Sequence, residues 1–203
     1  IGVNALATVT TGYTNVAIGS NSLDALTTGI RNVAIGHSAG TALIAGGSNI
    51  AIGYNALVTD DGCTGTVAIG EHALYSQNAD AANNVAVGFQ AALNLSSGTD
   101  SVYMGYKAGG LGVITGNNNV VLGKSAALNA TGMNHSVVIG TNANNIGVNN
   151  AANNVLLGHA AGQDIAGGAS NILIGRDAGL NISAGNDNIA IGHGAMDAAD
   201  TSA

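Results

Sequence analysis

Asn15-Val16-Ala17-Ile18-Gly19 returns seventeen residues later as Asn32-Val33-Ala34-Ile35-Gly36, and the phrase keeps returning along the whole chain. Its glycine stands at 2, 19, 36, 53, 70, 88, 105, 123, 140, 158, 175 and 192, and every spacing is 17 or 18 residues. Twelve copies in 203 residues leave no space for a second kind of domain. A period of this length means a solenoid, in which each copy is one coil that buries its apolar face only against its neighbours.

The coil can be read position by position. Three residues before the glycine stands Val or Ile in all eleven complete copies, and one residue before it stands Ile, Val, Leu or Met. Large apolar side chains at period two, many of them β-branched, predict a strand. The glycine then predicts a corner with positive φ or close backbone approach. A Leu-richer second segment (Leu23, Leu26, Leu57, Leu74, Leu93, Leu95, Leu128) reads as a shorter strand, closed in most copies by Gly or Asn. Helix is excluded, because no i, i+3, i+4, i+7 stripe exists and the glycine content opposes it. The expected fold is all-β: a parallel β-solenoid, or β-roll, of about twelve rungs of 17–18 residues. It forms a single repeat domain over 1–203, read as a segment of a longer fibre or adhesin because the chain opens inside its own repeat.

Two columns add detail. Asn precedes the Val or Ile in eight of eleven complete copies, with Ser or Thr in the others. Stacked at about 4.8 Å, these amides would form a ladder bonding rung to rung; a polar row for a ligand is the alternative. The residue between the two large apolar positions is read as pointing away from the coil. It is Ala17, Ala34, Ala51, Ala68, Ala86, Tyr103, Val121, Val138, Leu156, Leu173 and Ala190, with no charge among them. An outward row that apolar predicts a covered face, and a second copy of the chain is the economical cover. These eleven residues are thus the expected oligomer interface.

Composition narrows the partners. Net charge is −7, and only Arg31, Lys107, Lys124 and Arg176 are basic. Nucleic acid and anionic membrane surfaces need a basic track, so both are poor partners. No apolar run approaches the roughly 18 residues of a membrane span. Hydrophobic residues make up 46% of the chain in ordered recurrence, which argues against disorder. The lone Cys63 allows no disulfide within the chain.

No constellation points to an enzyme, and neither a cofactor nor a metal is expected. The acids are scattered except for Asp60-Asp61, which reads as a solvated turn pair; Cys63 in Asp-Asp-Gly-Cys-Thr-Gly reads as an incidental thiol. No column is rich in Thr, as an ice-binding face requires. Chemistry-bearing side chains gather instead at the two positions after each repeat glycine. His37, Tyr54, Phe89, Tyr106, His159, Arg176 and His193 are the candidate surface contacts there, alongside Glu71, His72, Lys107, Lys124 and Asp177. His37, His159 and His193 lie too many rungs apart to share a metal within one chain, although three chains around an axis could bring identical His together. This edge suits packing and ion pairing between subunits or, alternatively, contact with a receptor or glycan through its aromatic platforms.

The phrases Ile1-Gly2-Val3-Asn4-Ala5-Leu6 and Ala51-Ile52-Gly53-Tyr54-Asn55-Ala56-Leu57 resemble the repeats of bacteriophage tail fibres, which often carry an endosialidase-type chaperone. Val-Ala-Ile-Gly followed three places later by Ala or Ser, as at all twelve copies here, is also similar to the head of YadA-like trimeric autotransporter adhesins. The resemblance covers the whole chain and is structural in kind. It implies a left-handed parallel β-roll, three copies packed side by side, and a location on a virion or bacterial cell surface. A rod holding a receptor-binding tip away from that surface is the function it implies.

Overall fold

A computed structural model describes residues 1–78, 82–146 and 152–197. Eleven strands of three residues stack in chain order into one parallel sheet: β1 (Val16–Ile18), β2 (Val33–Ile35), β3 (Ile50–Ile52), β4 (Val67–Ile69), β5 (Val85–Val87), β6 (Val102–Met104), β7 (Val120–Leu122), β8 (Val137–Ile139), β9 (Val155–Leu157), β10 (Ile172–Ile174) and β11 (Ile189–Ile191). The chain is a parallel β-solenoid. Every strand pairs with the next in the same phase, Val16 with Val33 and Val67 with Val85 alike. The 18-residue copies therefore absorb their extra residue outside the sheet.

The faces of this sheet are the reverse of the expectation. The middle residue of each strand, from Ala17 through Tyr103 and Leu173 to Ala190, is buried inside the coil. Its two large neighbours point outward, half-buried or exposed, as in the buried-flanked pattern of every strand from β1 to β11. Ala17, Ala34, Ala51, Ala68, Ala86, Tyr103, Val121, Val138, Leu156, Leu173 and Ala190 are core, so they form no interface. The reason is volume: a coil this narrow admits one strand side chain per turn beside those of the opposite wall.

That wall explains the sizes in the middle column. Four residues after the repeat glycine the chain places a side chain opposite the strand, and the two positions compensate. Ala17, Ala51 and Ala68 share their coils with Leu23, Leu57 and Leu74, all buried. Tyr103, Leu156 and Leu173 share theirs with Gly109, Gly162 and Gly179. A Cβ on Gly179 would lie 2.5 Å from Leu173 Cδ1, and one on Gly109 would lie 2.7 Å from Tyr103 Cδ1. In these coils large and small are exchanged across the interior; in the coil of Ala34 and Gly40 both are small, and Leu23 and Leu43 reach in, 2.9 Å and 3.2 Å from where a Gly40 Cβ would lie.

The corner glycine is required on both grounds foreseen. Gly88 has φ +134°, and a Cβ there would sit 2.6 Å from the carbonyl oxygen of Gly105 in the next coil. The Leu-rich segment, by contrast, forms turns rather than a strand. Its parallel bridges are isolated, as at Leu95–Ile114, although backbone bonds such as Leu23 N–H to the Ala39 carbonyl (3.1 Å) and Leu57 N–H to the Ala73 carbonyl (3.0 Å) still tie coil to coil, and Leu23, Leu57 and Leu74 hold φ near +50°. Backbone that turns this often cannot keep a ladder.

The amide ladder is real. Asn154 Oδ1 accepts from the backbone N–H of Asn171 at 2.8 Å, while its Nδ2 donates to the Gly168 carbonyl at 2.8 Å. Asn15, Asn32, Asn84, Asn119 and Asn171 make the same carbonyl bond fourteen residues on. Each amide thus clamps its own coil to the next at two points. Where Ser stands, its hydroxyl takes over the acceptor role: Asn119 N–H donates to Ser101 Oγ at 2.9 Å.

Candidate functional site

The exposed corner is built by the two residues after each repeat glycine. The second of them adopts left-handed backbone at Asn21, Asn55, His72, Lys107 and Asp177, with φ between 52° and 57°. Asn enters this region more readily than most residues. The turn is identical in every coil, so side chains at equivalent positions rise above one another at the strand spacing, about 4.8 Å.

Three groups result. His37 stacks on Tyr54 (centroids 5.4 Å apart), Tyr54 meets His72 edge-on at 5.3 Å, and His72 meets Tyr75 at 5.3 Å. Phe89 and Tyr106 form a second stack, 5.4 Å apart and only 10° from parallel, with Lys107 Nζ 5.3 Å from the Tyr106 ring centre. Offset or edge contacts at these distances stabilise the corner without any ligand. Toward the other end, Asp177 gathers Arg176 Nε at 3.0 Å, His159 Nδ1 at 3.7 Å and His193 Nε2 at 3.8 Å.

All seven candidate contact residues therefore lie on this corner. His37 and Tyr54 touch, Phe89 and Tyr106 touch, and Asp177 draws His159, Arg176 and His193 together. Of the three His read as too many rungs apart to meet, His159 and His193 do converge on Asp177, while His37 lies in the separate group with Tyr54. Among the described residues no three His, Cys, Asp or Glu side chains form a metal-holding group. Tyr75 was not foreseen, because it lies five residues after its glycine rather than one or two.

A second polar group escaped the sequence reading. Asp60 is fully buried, not a solvated turn residue, whereas Asp61 is exposed. Asp60 Oδ1 accepts from the N–H groups of Cys63 (2.8 Å) and Gly62 (3.1 Å), and Oδ2 accepts from Gln77 Nε2 at 3.0 Å. Asn84 Nδ2 in turn donates to Gln77 Oε1 at 3.1 Å. Desolvation, and then the Asp60 carboxylate beside it, pushes the Cys63 thiol well above its ordinary range. A buried thiol so disfavoured as thiolate is unreactive. The legible signal was that Asp60 and Gln77 both stand seven residues after a repeat glycine, where Leu26, Leu43, Leu95, Ile165 and Ile182 stand in other coils. Two adjacent polar intrusions into an aliphatic column imply that they bond to each other.

No protein-family profile, curated protein or solved structure matches the chain.

Proposed function

We propose that this chain is a structural rod of an extracellular fibre, a viral tail fibre or a surface adhesin, assembled as a homotrimer that holds a receptor-binding tip away from its surface. One observation carries the reading. The outward side of the sheet consists of two unbroken aliphatic columns, from Val16 and Ile18 to Ile189 and Ile191, with no polar residue in either. Over eleven strands this face runs about 50 Å. Monomers rarely leave so long an apolar surface in water. A copy of the same rod offers a face of the same length and chemistry; the number three and the left-handed coil follow from the resemblance to trimeric adhesin heads. The face is built from the large Val and Ile positions, not from the middle column.

The paired substitution Leu157→Asp/Ile174→Asp tests this, since both side chains stand on the outer face. The folded β signal in circular dichroism should persist while sedimentation shows loss of the assembly. A variant that stays fully assembled would remove this face from the interface.

The post-glycine corner favours a second reading, in which the rod itself contacts a host surface or glycan. Its support is the exposure of Tyr54, Phe89 and Tyr106, 36–49% each, which gathers half of the chain's six aromatic residues on one corner.

A further inference from the structure

We infer that the corner formed after β5, β6 and β7 binds an acidic saccharide, with Lys107 and Lys124 taking its carboxylate and Tyr106 its apolar surface. The inference rests on the second reading above and names its ligand class. Lys107 and Lys124 are two of only four basic residues on a chain of net charge −7, and they occupy successive coils. Elsewhere on this corner cations are neutralised locally, as Arg176 is by Asp177 at 3.0 Å. Among the described residues neither lysine has a carboxylate within ion-pair distance. Positions one and two after Gly88, Gly105 and Gly123 hold Phe89, Gln90, Tyr106, Lys107, Lys124 and Ser125, with no acid.

Lys124 stands in the column of Tyr106, one coil on, while Lys107 holds its Nζ 5.3 Å from the Tyr106 ring centre, so two cations adjoin one aromatic ring and attract an anion. An anion of low charge density fits. Polyphosphates and anionic bilayers draw on broad basic surfaces that this acidic rod lacks. A saccharide carrying one carboxylate per residue or two needs no more than this pair. Its C–H groups would meet the Phe89–Tyr106 stack, and its hydroxyls the Gln90 amide.

The test is calorimetric titration of the assembled rod at low salt with a tetrameric oligogalacturonate and with neutral cellotetraose. The acidic probe should bind at least tenfold tighter than the neutral one. Lys107→Gln/Lys124→Gln should lower its affinity at least tenfold and abolish the salt dependence; Tyr106→Ser should weaken it severalfold. Arg176→Gln should change nothing. Equal binding of both probes, untouched by the lysine variants, overturns the acidic class and leaves a glycan-contacting edge standing. Binding of neither probe overturns the inference; the second reading falls separately, if Tyr54→Ser/Phe89→Ser leaves adsorption of the assembled rod to a host surface unchanged. Equal competition by phosphatidylserine vesicles or duplex DNA overturns the saccharide class.

Discussion

Leu173 and Gly179 occupy the same cross-section of the coil as Ala17 and Leu23, with the large and small side chains exchanged. Truncation of Leu173 to Ala should cost about 2–5 kcal/mol, the usual penalty for a cavity at a fully buried leucine. Adding Gly179→Leu should restore much of that loss, because Leu23, Leu57 and Leu74 already tolerate the left-handed backbone there. Denaturant midpoints of the two variants check this; a double variant no more stable than the single one would refute the compensation. Tyr103 makes a second test. Its hydroxyl is buried without a hydrogen-bond partner, and burial pushes its pKa up to about 12. A raised folded-state pKa favours the neutral phenol, so this contribution is intact below the unfolded value of about 10. It is lost as pH rises through about 12. Tyr103→Phe should leave stability at neutral pH unchanged or higher and flatten its decline across that alkaline window, as pH-dependent denaturation would show. At this scale the sequence was only partly legible. Both strand faces are apolar, so alternation could not say which points inward, and side-chain size suggested the wrong one. The inverse sizes of Leu173 and Gly179, and of Ala17 and Leu23, carry the answer.

Between coils, a single amide does the work of two contacts. Asn154→Ala would strand the Asn171 N–H and the Gly168 carbonyl, both otherwise satisfied by that side chain. The expected cost is about 2–4 kcal/mol, from two buried groups left without partners. Asn154→Ser should cost roughly half as much, since Ser101 and Ser136 show that a hydroxyl can accept the N–H bond alone. Equal losses in thermal unfolding of the two variants would mean the acceptor half of the clamp contributes nothing. The ladder, the strands and the corner glycines were all readable from period and residue type, because each is a local requirement repeated eight times or more. The turns of the Leu-rich segment were not. Leucine at left-handed φ is uncommon, and its spacing imitates a short strand. The Asp60–Gln77–Asn84 network was hidden for a different reason: it becomes visible only when adjacent coils are superposed.

For the molecule as a whole, the outer sheet face decides the account. The repeat dictates a rod, and the rod presents one side with no polar residue along its entire length. The corner beside that face bears three of the four exposed aromatic residues and three of the four Lys and Arg residues, which leaves the two surfaces distinct in chemistry. Light scattering of the unmodified chain across a range of concentrations tests the central claim most directly. The account predicts a mass of three times 19.6 kDa, about 59 kDa, that persists on dilution. A particle of 19.6 kDa at every concentration would contradict it.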